Sequence, residues 1–598
     1  MRRMTLVALL VVFFLPVSLA AQTVSYVVSI PKPTSSLLRV VMEIRDASGP
    51  TLDVAMPAWS PGAYSLHWAA KNVQGLEARD GGGRALDARM VDTSTWRVSP
   101  VAPVVRVSYD VYLGTSAVND THATINGTRC LLYLVGTPPY PAPGALTLAV
   151  EAPPGWQIAT GLDATRPGVF TAPDYDTLID APVEVSPELE IVTFEDQGAT
   201  YEIVIHAFRH NYDTARLRDD VRRIVAEQVR MFGGTPPYGR YVFLFHGGNG
   251  GSGGLEHLNS TAISFGRQAA GHAAAYSRFL FVISHEFFHL WNVKRIRPEI
   301  LGPFDYTRPQ HTRNLYVSEG MTSYYASLAL ARSGVWTRQD FYDDLARNIQ
   351  ELQTQPGHLV TSAEMSSWLT WNRPDNAANV SISYYTKGQI IGNLLDLEIR
   401  ARTANRASLD DVFQYLMAHG GLPKPGFEED GGFQKAVELI AAEGGATGTF
   451  GEFFRRYVSG LDEIDYDAYL RHAGLTIQID HAPARRTIGV TTRTEADRLV
   501  IANVPPTGPG YDAGLMPGDI LLALDGERII PSAFDARLND RQAGAHVDLQ
   551  VLRGDRLITV PVVLAEERAP TYKVVEDPEA GAEASALHDA WFKASGGL

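Results

Sequence analysis

The chain has a single cysteine, Cys130, among its 598 residues, so no disulfide can form within it. Cys130 stands in the strand-like run TRCLLYLVG, where we expect it to act as a small buried apolar side chain. The chain also lacks a basic tract, and its formal net charge is −15. An acidic chain without a basic patch is not expected to bind nucleic acid.

Long apolar runs are missing after the first twenty residues. Arg2 and Arg3 precede the apolar run Leu6–Val17, and the small residues Ser18 and Ala20 follow it. This order is typical of a secretory signal peptide, and the run is shorter than the roughly 20 residues that a spanning helix needs. We therefore predict a signal peptide over residues 1–20. The mature protein would be periplasmic or secreted, with no membrane span.

A chain of this length is expected to form several domains. Alternating runs such as LRVVMEI and VVRVSYDVYL predict an antiparallel β domain over residues 21–195. Helical spacing dominates residues 196–474, and short strands return over residues 475–565. Residues 566–598 are expected to be an exposed, partly disordered tail. The predicted fold class is multidomain α+β. The Trp- and Pro-containing stretch 56–73 would be a rigid loop that packs on a neighbouring domain.

The motif HEFFH places two histidines four residues apart, with a glutamate after the first. In a helix, positions i and i+4 share a face, so His285 and His289 can bind one zinc ion. Glu286 would face the same cleft and move protons without ligating the metal. The alternative is a buried helix whose histidines bond backbone carbonyls.

A third ligand would favour the zinc site. Glu319 lies in LYVSEGMTSYYASLAL, a second helical segment with Ser318 as a plausible N-cap. A carboxylate from a following helix completes a His-His-Glu set with one open position for water. Twenty-nine residues separate His289 from Glu319, so the linker must form an extra loop.

Two further stretches belong to this picture. GGLEHLNS follows a strand and would line the cleft as an edge strand, where Glu256 can pair with the α-amino group of a peptide. YYTKGQ begins a helix, and a phenol near the zinc can stabilise the oxyanion that forms during hydrolysis. Tyr384 and Tyr385 both remain candidates for that phenol.

GGLEH, HEFFH, SEG and YTKG occur here in the order found in gluzincin aminopeptidases. With HEFFHLWNVKRIRP and a downstream PDZ-like region, the chain resembles the glycyl aminopeptidase family of zinc metallopeptidases. The resemblance implies an N-terminal β domain, a thermolysin-like catalytic domain and a C-terminal PDZ domain. It implies that His285, His289 and Glu319 bind one zinc ion. It also implies that Glu286 is the general base and that Tyr385 stabilises the transition state. The substrate would be bound by Gly254, Glu256 and His257.

Two positions depart from related patterns. Large gluzincin aminopeptidases carry asparagine where this chain has His257, so the geometry that anchors the substrate amine cannot be copied from them. Thermolysin-like enzymes carry an aspartate four residues after the third ligand, where this chain has Ser323. The groups that orient the zinc ligands are therefore not identified from the sequence.

The segment VPPTGPGYDAGLMPGDILLALDGERI resembles a bacterial PDZ domain. Such domains bind an extended chain at a sheet edge, so the partner would be a peptide or protein terminus. The alternative is a structural cap on the catalytic domain.

The leading hypothesis is an exported zinc aminopeptidase that acts on peptides with a free, small N-terminal residue, glycine or alanine. One alternative is a zinc endopeptidase to which the PDZ domain delivers substrates. Another is a non-catalytic peptide-binding scaffold of the cell envelope.

Overall fold

A computed structural model describes residues 23–136, 146–207, 209–248 and 253–593. The chain divides into two compact units. The first consists of residues up to Ala58 together with Trp68–Ile158 and Leu162–Pro187, and the second of Trp59–His67, Ala159–Gly161 and residues from Glu188 onward. The predicted signal peptide, residues 1–20, lies outside the described residues. Within the described ranges, no helix is both long and apolar enough to cross a membrane.

The first unit is built of β-strands. They are β1 (Thr23–Ser29), β2 (Leu37–Arg45), β3 (Leu52–Ala55), β4 (Val73–Asp80), β5 (Ala85–Met90), β6 (Thr95–Ser99), β7 (Val104–Tyr112), β8 (Ala123–Ile125), β9 (Tyr133–Leu134), β10 (Leu146–Glu151), β11 (Gln157–Thr160), β12 (Asp163–Arg166), β13 (Val169–Ala172) and β14 (Val183–Ser186), with the short helix α1 (Tyr175–Ile179). The large sheet runs β12-β13-β10-β1-β2-β7-β4-β5-β6-β3-β9, and a small one runs β11-β14-β8.

The predicted N-terminal β domain is confirmed, and its large sheet is antiparallel except between β1 and β10. Strand β2 shows why the sequence forms it. Its alternate residues Leu38, Val40, Met42 and Ile44 are fully buried, as the two-residue period of a half-buried strand requires. Cys130 is also buried, and burial raises the pKa of its thiol to about 12, so it acts as an inert apolar side chain.

The second unit begins with a mixed sheet, ordered β15-β16-β17-β19-β18. Its strands are β15 (Glu190–Asp196), β16 (Ala199–His206), β17 (Arg240–Gly248), β18 (Gly253–Glu256) and β19 (Ser260–Gly266). Because β16 and β17 are parallel, a crossover must join them, and helix α2 (Thr214–Met231) supplies it. The Asp213 side chain caps the start of α2, and Gly233 follows its end at φ +93°.

Helices dominate the middle of the second unit. They are α3 (Ala273–Phe288), α4 (Thr322–Arg332), α5 (Arg338–Thr354), α6 (Ala363–Trp368), α7 (Ala377–Val380), α8 (Tyr384–Thr403), α9 (Leu409–Gly420), α10 (Gly432–Glu443), α11 (Gly451–Phe453) and α12 (Tyr466–Leu470), with π-helical turns at Tyr316–Met321 and Phe454–Val458. Helix α3 is buried along most of its length, and Phe287 and Phe288 are fully buried in the shared core.

The PDZ-like domain follows. Its elements and flanking segments are β20 (Leu475–His481), β21 (Arg485–Thr487), β22 (Thr491–Glu495), β23 (Arg498–Asn503), α13 (Pro509–Asp512), β24 (Ile520–Leu524), β25 (Glu527–Arg528), α14 (Phe534–Asn539), β26 (His546–Arg553), β27 (Arg556–Val563), β28 (Ala565–Glu567), β29 (Pro570–Glu576) and α15 (Ala582–Trp591). Its sheet runs β22-β23-β24-β26-β27, with β22 at one edge. Asn379 of α7 donates a 2.9 Å hydrogen bond to the Val504 carbonyl and accepts one of 2.7 Å from Asn503.

Residues 566–598 were expected to be an exposed, partly disordered tail, and the expected disorder is wrong for the described residues 566–593. Strand β29 pairs with β20 over seven residue pairs. Trp591 of α15 is fully buried, and its indole N–H donates a 2.8 Å hydrogen bond to the Tyr324 hydroxyl. The acidic, alanine-rich composition of this segment suggested disorder. The segment is ordered by two features, an alternating strand and one large buried aromatic side chain.

Candidate active site

The two histidines of the HEFFH motif meet at the C-terminal end of α3. His285 lies in its last turn, and His289 is the residue that caps it. The four-residue spacing brings both rings to one face, and their Nε2 atoms are 3.0 Å apart. Both side chains are buried.

Glu319 is the third member of the cluster and is supplied by the π-helical turn Tyr316–Met321. Its Oε2 lies 3.6 Å from Nε2 of His285 and 3.2 Å from Nε2 of His289. Tetrahedral zinc with bonds of about 2.0–2.1 Å requires ligand atoms roughly 3.3 Å apart. The three donor atoms therefore already have the separations that one zinc ion requires.

Hydrogen bonds behind the histidines orient both rings. Nδ1 of His289 lies 2.6 Å from the Asn292 carbonyl oxygen, and a carbonyl can only accept. Nδ1 of His285 lies 3.3 Å from Oγ of Ser323. When the rings are neutral and Nδ1 carries the proton, both Nε2 lone pairs are free for a metal ion.

Two further acids converge on the same point. Glu256, Glu286 and His289 have ligand atoms within 4.8 Å of one another. Glu256, Glu286 and Glu319 are only 4%, 6% and 2% exposed. Oε1 of Glu256 and Oε2 of Glu286 are buried without a hydrogen-bond partner among the described residues. Buried carboxylates that lie this close together are stabilised by cations, so a dication or an ammonium group would fit this cluster.

The pKa values of the cluster without a metal ion show likewise that it favours bound positive charge. Burial raises the pKa of Glu286 to about 8, and Glu256 and Glu319 add to the rise. Burial alone would lower the pKa of His289, but Glu319, Glu256 and Glu286 raise it to about 10. Burial also raises the pKa of Glu256, against the opposing charges of His289 and Lys294.

These residues line a cleft of about 400 Å³. Gly254 of the edge strand β18 lies in its wall, and a Cβ atom there would stand 2.4 Å from the Glu286 carboxyl carbon. Glu256, at the end of the same strand, also lines the cleft. His257 does not belong to the lining that the described residues form. It is buried, and its backbone N–H donates to the Ser260 carbonyl.

The structure separates the two candidate tyrosines. Tyr385 lines the cleft with its ring centroid 6.0 Å from that of His285. Burial raises the pKa of Tyr385 well above its usual value, with Glu319 as the next cause, so the phenol keeps its proton. Tyr384 is buried outside this cleft, and its hydroxyl lies 3.3 Å from Oγ1 of Thr370.

A glycine contact holds the supporting helices together. Gly320 and Gly388 meet where the turn that carries Glu319 crosses the start of α8. A Cβ atom at Gly320 would lie 2.4 Å from the Gly388 Cα, and one at Gly388 would lie 2.5 Å from the Tyr316 carbonyl oxygen. Only glycine at both positions allows this approach.

Three family models match the chain. Residues 25–187 match the peptidase M61 N-terminal domain, residues 278–391 the M61 glycyl aminopeptidase model and residues 487–564 a PDZ domain. The chain belongs to the M61 glycyl aminopeptidase family. The family predicted from the sequence motifs is confirmed, as is the order of a β domain, a helix-rich peptidase domain and a PDZ-like domain. This M61 peptidase is a hydrolase that acts on peptides.

The chain is also similar to solved structures and to a curated protein. The structure of an aminopeptidase N family protein from Idiomarina loihiensis has a TM-score of 0.86 and 25% identity, covering 96% of this chain and 100% of that one. An M1 zinc metallopeptidase from Deinococcus radiodurans has a TM-score of 0.45 and 14% identity, covering 75% of this chain and 96% of that one. A curated protein of Synechocystis sp., named HhoA and described as a serine protease, is 37% identical over 79 residues, which is 13% of this chain and 20% of that protein's length.

Some residues of the M61 site were not found from the sequence. Asn292 accepts from His289, and its own side-chain amide donates to the Val317 carbonyl at 2.8 Å and to Oγ1 of Thr322 at 3.0 Å. It thereby ties α3 to the turn that carries Glu319. A polar residue three positions after His289 in an apolar run is the signal that could have identified it. Ser323 was noted only as a departure from the aspartate pattern.

Proposed function

We propose that this M61 peptidase is an exported, zinc-dependent aminopeptidase that removes one small residue, glycine or alanine, from a free N-terminus. The observation that carries the proposal is the position of Glu256. One of its carboxylate oxygens lies within 4.8 Å of the ligand atom of His289. An acid that can hold the substrate amine thus stands beside the metal ligands.

This short separation supports the release of single residues. In a peptide, the amino nitrogen and the carbonyl carbon of the same residue are only about 2.5 Å apart. An ammonium group held by Glu256 would therefore place the first carbonyl group beside His285, His289 and Glu319. A longer N-terminal segment would have no room between Glu256 and these residues.

Glu286 and Tyr385 would carry out the remaining steps of peptide hydrolysis beside the metal ion. A zinc ion, when bound, supplies Lewis acidity that polarises the first carbonyl and lowers the pKa of water. Oε2 of Glu286 would accept a proton from the attacking water and donate it to the leaving amine as the C–N bond breaks. The Tyr385 hydroxyl would donate a hydrogen bond to the carbonyl oxygen while that oxygen gains negative charge.

The preference for small residues and the export are further parts of the proposal. Membership of the glycyl aminopeptidase family supports a small first residue. The N-terminal run Leu6–Val17 behind two arginines supports export. N-terminal sequencing of the protein recovered from the periplasm or medium tests export, and we expect the mature chain to begin at Ala21.

The PDZ-like domain is proposed to bind a chain terminus of a substrate or partner. Strand β22 lies at the edge of its sheet, and an extended peptide can add to such an edge through backbone hydrogen bonds.

Hydrolysis of glycine p-nitroanilide and of its N-acetylated form, each with and without a chelator, tests the activity. The proposal expects cleavage of the free amine alone, lost on chelation and restored by zinc. Equal cleavage of both compounds would favour an endopeptidase and remove the role given to Glu256. Absence of both cleavage and stoichiometric zinc would favour a peptide-binding scaffold.

A further inference from the structure

The segment Trp59–His67, here called the 59–67 loop, groups with the catalytic unit although its neighbours in sequence belong to the first unit. A β-bridge between Trp59 and Leu66 closes it. The Trp59 indole donates a 2.8 Å hydrogen bond to the Asp305 carbonyl and packs edge-on against Phe304 and Trp371. The loop is thus fixed by the catalytic unit itself.

Gly62, at the tip of the 59–67 loop, lines the same cleft as the candidate zinc ligands. A Cβ atom at this position would lie 2.4 Å and 2.6 Å from the two carboxylate oxygens of Glu256. Its φ of +86° is also a conformation that favours glycine. The backbone of Gly62 therefore contacts the carboxylate proposed to bind the substrate amine, and no side chain fits there.

Tyr64 lies two residues after Gly62 in the same loop. Its side chain is buried in the catalytic core, and its ring packs edge-on against Trp371 at 6.2 Å. Burial raises the pKa of Tyr64 well above its usual value, and the carboxylates of Glu319 and Glu256 are the next causes. Its backbone has φ +45°, which is costly for an aromatic residue and persists only where packing imposes it.

We propose that the 59–67 loop determines how the cleft recognises a free amino group. Gly62 shapes the space for that group beside Glu256, and Tyr64, buried in the catalytic core and packed edge-on against Trp371, anchors the loop. The inference rests on the proposed aminopeptidase function and assigns part of its specificity to residues more than two hundred positions before the HEFFH motif.

Gly62→Ala tests the amine subsite. We expect KM for glycine p-nitroanilide to rise about tenfold or more, because the methyl group displaces the carboxylate that binds the amine, while zinc content stays at one ion per chain. Gly83→Ala is the matched control, since Gly83 has φ +88° and open space where a Cβ would stand. An unchanged KM in Gly62→Ala would overturn the role of this glycine.

Tyr64→Ala tests whether this packing anchors the loop. We expect KM for glycine p-nitroanilide to rise, because loss of the buried ring leaves a cavity and frees the backbone that carries Gly62. Tyr64→Phe keeps the ring and should keep the wild-type KM. An unchanged KM in a folded, zinc-loaded Tyr64→Ala variant would overturn the role of Tyr64.

A binding measurement separates failure of this inference from failure of the proposed function. Glycine hydroxamate and acetohydroxamate share a metal-binding group, but only the first has a free amine. Calorimetry on the zinc-loaded wild type should show tighter binding of glycine hydroxamate, and Gly62→Ala should abolish the preference. The same preference in both proteins would overturn the loop's role, even if neither hydrolyses a peptide. No preference in the wild type would overturn the amine site itself.

Discussion

Replacing Gly320 with alanine is expected to separate the turn that carries Glu319 from the helix that carries Tyr385. The new Cβ would lie 2.4 Å from the Gly388 Cα and 2.8 Å from the Tyr384 carbonyl oxygen. Carbon atoms pack at about 3.5–4.0 Å, so the two backbones must move apart by about 1 Å. Both contacts are backbone atoms, and no side-chain rotation can relieve them.

A shift of this size has a calculable effect on rate and stability. Misplacing a reacting group by about 1 Å costs about a hundredfold in turnover, and overpacking costs about 1–3 kcal/mol of stability. We therefore expect kcat/KM for glycine p-nitroanilide to fall about a hundredfold and the melting temperature to fall with it. Steady-state kinetics and calorimetry measure the two effects.

A second glycine provides the control. A Cβ atom at Gly239 would meet no atom within 4 Å, so Gly239→Ala should match the wild type in both measurements. If Gly320→Ala retains wild-type kcat/KM, the contact between Gly320 and Gly388 does not position the site, and the reasoning is refuted.

Three further outcomes are expected. Trp591→Ala should lower the free energy of unfolding by about 3–5 kcal/mol, as loss of a buried tryptophan does. Leu557→Ala is the control, because this side chain is 66% exposed, and it should leave the urea midpoint unchanged. Equal midpoints for the two variants would contradict the anchoring of α15. Glu286→Gln should bind zinc stoichiometrically but lose turnover, because an amide cannot accept the proton; surviving activity would mean that another group moves it. Chelation should lower the melting temperature, because three buried carboxylates lose their cation. The Glu319→Gln variant should show a smaller drop on chelation. An unchanged melting temperature on chelation would exclude a structural effect of the metal.

The parts of the fold that follow local patterns could be predicted from the sequence. Apolar and polar residues alternate along strand β2, and helix α2 has a polar N-cap and a glycine after its end. Each of these patterns predicts the secondary structure of its own segment. A strand before GGLEHLNS and an edge strand at GGLEHLNS were predicted, but not the whole mixed sheet from Glu190 to Gly266, because the parallel pairing of β16 with β17 is made across the intervening helix α2. The order in the C-terminal segment was missed since its stability comes from contacts far away in sequence, with β20 and with Tyr324.

The candidate site divides in the same way. His285, Glu286 and His289 share a helix, so their spacing alone brings them together. Glu319 and Glu256 were candidates from their own segments, but no local rule sets their distance from α3, and the resemblance to a known family supported their roles. Residues that act through close packing, such as Gly62 and Gly388, carry no chemical group and are identified only when the atoms beside them are known.

The pairing of β20 with β29 has a consequence for the evolution of the chain. His481 stands opposite Pro570, so the polypeptide leaves the β20–β29 pair and returns to it at neighbouring positions. The PDZ-like domain is thus an insertion into a β-hairpin, and domains inserted at such closely spaced ends can be exchanged without breaking the host fold. A two-residue Asn-Gly turn after His481 would close the same hairpin. The peptidase fold and the peptide-binding module can therefore be recombined as separate parts.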